Sequence, residues 1–452
     1  LLAGAAALVL LAAFAALRLN GPARIGAGYQ AKILCSEIFV AGRDGADVLA
    51  RDFEDISPVL NYTQKKIYSD EKSVRVSLFG LGASEAVYLG ESGCTLVSPG
   101  DYILSLHTAE MTTEFQSPPT ARPDSDDAIE RIDYGAVNTI LDNAMGDVES
   151  GHRSFVILVD GRLVAERYAD GFTANTRFLS WSMAKSVLAT LVGAAAGQGL
   201  VFVDDPAPVA EWSETPKASI TWNDLLRMQT GLAFEEDYAT TNSDVNNMLW
   251  RSAEMGAVAA MQEQLHAPGE FWDYSSGTSN LLARTLQNAL AERDVDLQTF
   301  ARETVFNPIG ASSFVLETDM AGNFVGSSFV YATARDWARL GQLYLQNGQW
   351  NGTPVLSPAW IDYTKKPTAV SDGQYGAHFW LNHDGADGRE RYLMDLSEDM
   401  YFMAGHEGQY VYILPSKNAI IVRTGITRGM EPIEVVAPVI TALYDAIGNT
   451  QD

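Results

Sequence analysis

Ser180-Trp181-Ser182-Met183-Ala184-Lys185 opens a long apolar run, and its reading decides the fold. A hydroxyl and an amine three residues apart share one face of a helix. With Ser182 at the start of that helix, its Oγ sits among unpaired backbone N–H groups at the positive end of the dipole. The same field opposes protonation of Lys185. Burial opposes it further, because desolvation penalises the ammonium form. A neutral amine beside a serine hydroxyl is a nucleophile with its base. Ser186 to Leu200 reads as a buried helix with Val187, Leu188, Leu191, Val192 and Ala195 on its apolar face, and Gly197 and Gly199 as stop signals. The bland alternative is an N-capping serine with a lysine that snorkels to solvent. Ser69-Asp70-Glu71-Lys72 repeats the spacing in a charged setting with no apolar helix after it, and reads as a solvated surface turn.

Two further stretches carry candidate chemistry. In Pro268-Gly269-Glu270-Phe271-Trp272-Asp273-Tyr274-Ser275-Ser276-Gly277, Tyr274 lies at a loop-to-helix junction, where a phenol can enter a cleft. Near a lysine amine it can pass a proton to a leaving group, and Ser276 can hold Lys185 or a substrate carbonyl. The alternative is a core tyrosine with a satisfied hydroxyl. In Gly405-His406-Glu407-Gly408-Gln409, glycines at a strand edge allow close approach to a ligand. The N–H groups of Gln409 and Ser182 then form an oxyanion hole, with His406 facing the groove; a surface histidine on a turn is the alternative. Tyr375-Gly376-Ala377-His378-Phe379-Trp380 reads as sheet core in preference to aromatics lining a substrate pocket, and is assigned no chemistry. No Gly-x-Ser-x-Gly elbow, P-loop, dinucleotide fingerprint or His-Glu-x-x-His helix occurs. No metal or organic cofactor is implied.

The 452 residues suffice for two or three domains with sizeable cores. With 57 acidic against 31 basic residues, the net charge of −26 lacks the basic footprint that nucleic acid demands. It also opposes electrostatic docking on anionic lipid, and a carboxylate-rich substrate is repelled at long range. Leu1 to Leu17 is unbroken apolar sequence followed by Arg18, read as an uncleaved membrane anchor in preference to a removed signal ending near Ala13-Phe14-Ala15. Either reading exports the rest to the periplasm or to the periplasmic face of the membrane. Behind such a leader, Cys35 and Cys94, the two cysteines, are expected to form one disulfide, the alternative being two buried thiols.

Three regions are expected: the hydrophobic segment 1–19, an accessory region 20–125, and a main domain 126–452. In the accessory region, Lys32 to Val40 reads as a strand, Ala46 to Phe53 as a short helix, and Ser73 to Phe79, Ala86 to Leu89 and Cys94 to Val97 as strands. A structural cap or docking element is its default role. Ser117 to Asp127, rich in proline and acid, is the candidate linker. Ala128 to Met145 then reads as an amphipathic helix, and Ser154 to Tyr168 as a hairpin about Asp160-Gly161. Thr221 to Gly231 and Ala332 to Leu340 read as helices. Strands return at Tyr375 to Leu381, Gln409 to Leu414 and Ala419 to Thr424, before a closing helix at Glu434 to Ile447. That order predicts an α/β (α+β) fold: an antiparallel sheet of N- and C-terminal strands flanked by helices, with an inserted all-helical lobe.

Taken in order, Ser182-Met183-Ala184-Lys185, Tyr274-Ser275-Ser276 and His406-Glu407-Gly408 resemble the three motifs of the serine β-lactamase and penicillin-binding-protein superfamily. The resemblance points to its class C-like branch, with esterases and 6-aminohexanoate-dimer hydrolases. Leu179-Ser180-Trp181, Asp204-Asp205-Pro206, Leu225 to Leu232 and Ala334 to Gly341 agree with it. It spans Asp126 to the C-terminus, and the stretch from Lys32 to Leu96 resembles an N-terminal extension of some hydrolases of that branch. The resemblance implies Ser182 as acylated nucleophile, Lys185 as base and Tyr274 as acid/base for the leaving group. Ser276 stands where β-lactamases usually carry asparagine, and His406 where they carry the lysine that holds the β-lactam carboxylate. The implied activity is hydrolysis of small esters or amides, aminohexanoate-type linear amides among them. The alternatives are a β-lactamase or D-alanyl-D-alanine peptidase, and a non-catalytic peptide-binding module of the same fold.

Overall fold

Along Ala419–Gly425 every residue is buried, yet Ile420 and Val422 join one hydrophobic core while Ala419 and Ile421 join another. A strand whose two faces are both covered stands in the middle of a sheet. It pairs antiparallel with His152–Val159, placing Ile421 opposite Ile157, and on its other side with Gln409–Leu414. The six-stranded sheet runs Trp380–Leu381, Tyr401–Gly405, Gln409–Leu414, Ala419–Gly425, His152–Val159, Arg162–Tyr168. Strands from the two ends of the main domain therefore meet, as their order in the sequence predicts. Helices Tyr134–Gly146 and Pro432–Ala446 cover one face, and Met183–Gly197 and Ala334–Leu345 the other. The helices from Trp222–Leu226 to Leu297–Ala301 form the inserted lobe. This computed structural model describes residues 2–54, 56–97, 128–386 and 388–450, with side chains from residue 19 onward. The expected linker and the side chains of the leader lie outside the described residues.

Several local expectations change. Lys32 to Val40 is not a strand: one helix, Leu2–Phe39, runs through it. Its Ile, Leu and Phe residues look strand-like, but Ala27, Ala31 and Leu34 fall on one helical face and are fully buried. That face packs on an antiparallel meander of Thr63–Tyr68, Ser73–Leu78, Leu81–Tyr88 and Cys94–Val97. Its first strand, Gln64-Lys65-Lys66 included, is polar and carries no apolar alternation to mark it as a strand. Tyr375 to Leu381 yields only the strand Trp380–Leu381, because His378 adopts a left-handed φ of 59° that breaks the extended run. The helix expected from Ala128 starts at Tyr134, where Asp133 accepts a bond from the N–H of Ala136 at 2.9 Å. The helix expected to reach Gly231 stops at Leu226, ahead of Met228 at φ 57°.

Cys35 and Cys94 form the expected disulfide, joining the N-terminal helix to the last strand of the meander. The accessory region shares a core with the main domain: Ile25, Leu34, Val48 and Val74 cluster with Trp181, Phe234, Trp250, Phe329 and Tyr331. Glu317, fully buried, pairs with Lys32 and accepts bonds from Ser36 Oγ at 2.8 Å and the N–H of Cys94 at 2.7 Å. Among the residues whose side chains are described, from 19 onward, no helix is long and apolar enough to cross a membrane.

Candidate active site

Trp181 takes a left-handed φ of 45°, which a bulky residue holds only when its surroundings over-determine it. Its ring is buried, 6.1 Å from Phe329 and edge-on to His406 at 5.5 Å. That turn sets Ser182 at the head of helix Met183–Gly197, and Ser182 makes no capping bond with its side chain. Its Oγ instead lies 3.1 Å from Lys185 Nζ. Lys185 is buried and also reaches Ser276 Oγ at 3.1 Å and the carbonyl of Ser327 at 3.0 Å. Burial lowers its pKa to about 8, against the opposing pull of the Glu236 carboxylate. The turn at Ser69 to Lys72, with the same spacing, is exposed.

Ser275, not Ser276, caps helix Ser276–Ala291, accepting from the N–H of Thr278 at 3.0 Å. Ser276 is thereby left to face Lys185. Tyr274, just before the cap, lies close enough to Ser182 for that hydroxyl to act on its phenol, and its ring centre is 4.8 Å from Lys185 Nζ. Burial raises its pKa, so the phenol is protonated at neutral pH. Trp380 stacks on Tyr274 at 5.3 Å and Tyr375 meets it edge-on at 5.9 Å. The aromatic stretch read first as sheet core thus also walls the site, its alternative reading. His378 in that stretch has no role there: it is buried, held by the Leu226 carbonyl at 2.6 Å and Ser279 Oγ at 3.1 Å, with its pKa lowered to about 3 by burial.

The third stretch closes the site. Gly405 packs so tightly on the Ser180 carbonyl that an added Cβ would lie 2.2 Å from it, which seats the Tyr401–Gly405 and Gln409–Leu414 hairpin beside the nucleophile turn. His406 stacks on Tyr238 at 5.8 Å, and its side chain is exposed to solvent. Desolvation lowers its pKa, with Glu407 opposing the shift and Arg428 adding to it. Gln409 is locked by its side chain to the Gly425 carbonyl at 2.5 Å and to the N–H of Gly425 at 3.1 Å, which fixes the backbone segment that bears its own N–H. Gly408 differs from expectation. At φ 86° its missing side chain would strike Arg423 at 2.4 Å, so packing behind the turn, not ligand approach, demands glycine.

Ser182, Lys185, Tyr274 and Ser276 therefore converge, with His406 at the rim. Sequence reasoning missed Glu236. Its carboxylate accepts from Ser276 Oγ at 2.5 Å, from the N–H of Ser276 at 2.8 Å and from Tyr238 at 3.0 Å. Its setting, Glu235-Glu236-Asp237-Tyr238, reads as solvated acid, and no local spacing ties it to Ser276. Burial and repulsion from Glu236 raise the pKa of Asp273. Among the described residues no cluster of three or more His, Cys, Asp or Glu could hold a metal ion.

Residues 140–436 match a family model described as Beta-lactamase. The chain belongs to the beta-lactamase family. Like other members it is a serine hydrolase of that fold. Over 298 residues this beta-lactamase-family chain is 27% identical to the 6-aminohexanoate-dimer hydrolase of Paenarthrobacter ureafaciens, covering 60% of this chain and 71% of that one. A family VIII carboxylesterase superposes with a TM-score of 0.56 at 15% identity, over 74% of this chain and 100% of the other. A penicillin-binding protein homolog from Caulobacter crescentus gives 0.55 at 16% identity, over 73% and 100%. Both structural likenesses are likenesses of fold. The family match lies wholly outside the accessory region.

Proposed function

We propose that this beta-lactamase-family protein cleaves small esters and linear amides through an acyl-enzyme on Ser182. The observation that carries the reading is the 3.1 Å contact between a buried, weakly basic Lys185 and Ser182 Oγ, with the Tyr274 ring 4.8 Å from the same amine. Lys185 takes the Ser182 proton as Oγ attacks the carbonyl carbon. The N–H groups of Ser182 and Gln409 stabilise the oxyanion. Tyr274 hands its proton to the leaving oxygen or nitrogen as that bond breaks and recovers one through Lys185. Water then attacks the acyl ester, losing its proton to the same pair, and the acid departs with Ser182 Oγ reprotonated.

The site supports amides and esters over β-lactams. His406, a histidine whose pKa is lowered, stands where a β-lactam carboxylate would need a permanently charged lysine, and the Glu236 carboxylate lies beside Ser276. Positively charged or neutral substrates, the aminohexanoate type included, suit that field. The leader Leu1–Leu17 supports an enzyme exported across a membrane and tethered to it.

The test is a panel of p-nitrophenyl esters, short linear amides and a chromogenic cephalosporin. Esters and amides are expected to turn over well ahead of the cephalosporin. Ser182→Ala is expected to remove this turnover and the fluorophosphonate adduct. Hydrolysis by Ser182→Ala at the wild-type rate would overturn the proposal, and fast cephalosporin turnover would move it to the β-lactamase reading.

A further inference from the structure

We propose that the end of the accessory meander bearing Tyr62 and Phe79 rests on the surface of a lipid bilayer, beside the point where the N-terminal helix enters it. The inference rests on the reading of Leu1–Leu17 as a retained tether.

The most exposed large apolar side chains of the accessory region are Leu19 at 57%, Val59 at 53%, Tyr62 at 65% and Phe79 at 68%. Tyr62 and Phe79 stack on each other with ring centres 6.4 Å apart. They flank paired strand ends, Thr63 lying opposite Leu78. The next strand begins against the N-terminal helix, where Asn20 Oδ1 accepts from the N–H of Gly82 at 2.8 Å. A Cβ on Gly82 would meet the backbone N of Arg24 at 2.3 Å, so the contact is close. Asn20 is three residues beyond the last leader residue, about 4.5 Å along a helix axis. The stacked aromatic pair thus sits at the level where the apolar helix turns polar, the depth at which aromatic rings concentrate in membrane proteins.

Charge agrees. The chain carries 57 acidic residues, yet Leu1 to Ser36, Ile56 to Tyr68 and Ser73 to Ser84 contain none, while Arg18, Arg24, Lys65, Lys66 and Arg75 lie within them. An acidic protein has cleared from one end the groups that anionic headgroups repel. The global charge opposes lipid docking; the local charge does not.

The full chain is reconstituted with phosphatidylcholine vesicles, and a nitroxide is attached at Phe79→Cys or Tyr62→Cys, the two native cysteines being bonded to each other. Collisions with oxygen and with a nickel chelate are compared with those of a label at Val148→Cys, a site 85% exposed in the main domain. The labels at 79 and 62 are expected to favour oxygen severalfold over the label at 148. Circular dichroism and hydrolysis of a soluble ester should match wild type. Three results would overturn the docking. Labels at 79 and 62 as open to nickel as that at 148, in protein that floats with the vesicles, leave the tether standing without it. Protein that does not float with the vesicles removes tether and docking together. Labels closed to both reagents mean that another protein, a second copy included, covers the patch.

Discussion

At the residue scale the deciding quantity is the proton on Lys185. Only the neutral amine accepts the Ser182 proton, and its pKa is about 8. The acyl-transfer rate is therefore expected to rise with pH and level off above about 8. Burial favours the neutral amine and the Glu236 carboxylate favours the ammonium. Glu236→Gln removes the second effect, so the rising limb of kcat/KM should move to lower pH. A profile superposable on wild type would show that Glu236 does not govern this proton. The Ser182–Lys185 pair was legible because one helical turn joins its members. Glu236 was not, because its link to Ser276 spans 40 residues and exists only in the folded chain.

At the scale of single elements, the turn after Gly405 depends on a strained residue. Glu407 has φ 60°, and its carboxylate is held by Arg428 Nε at 2.6 Å. Arg428 in turn donates to the carbonyls of Asp52 at 2.9 Å and Glu54 at 2.7 Å, in the accessory region. Glu407→Gly and Glu407→Ala both lose the carboxylate, but only glycine takes this backbone freely. The alanine variant is expected to be less stable than the glycine variant by about 1 kcal/mol in urea denaturation, with the larger loss of kcat. Equal values would place the whole effect in the ion pair. Cys35→Ser opens a link between residues 59 apart in sequence. Its loss is expected to cost about 2–5 kcal/mol, read as a lower Tm that reductant reproduces in wild type. The disulfide could be expected from the cysteine count and the leader. The helix that carries Cys35 could not, because its β-branched and aromatic residues imitate a strand until the meander beneath them is known.

At the scale of the whole molecule, the order of strands and helices along the chain was enough to foresee a sheet built from both ends of the main domain. What it did not disclose is that the accessory region completes the core behind Trp181. The family match from 140 to 436 covers neither the N-terminal helix nor the meander. Removing them would bare Trp181, Phe234, Trp250 and Tyr331 together, an apolar face of the size that drives aggregation. Glu317→Ala tests the joint in the intact chain. Lys32 would stay buried without its partner, at a cost of about 3–5 kcal/mol in thermal or urea unfolding. A loss below 1 kcal/mol would mean that Lys32 finds water or sheds its proton at little cost.

The pairing of Lys32 with Glu317 also leaves a mark on inheritance. Neither charge is tolerable there without the other, so across any lineage that keeps this N-terminal extension the two positions should change in concert. Position 317 lies within the stretch that the family model matches, residues 140–436. A buried acid there would serve as a genetic marker, flagging from the shared stretch alone which relatives carry a helix and meander of this kind.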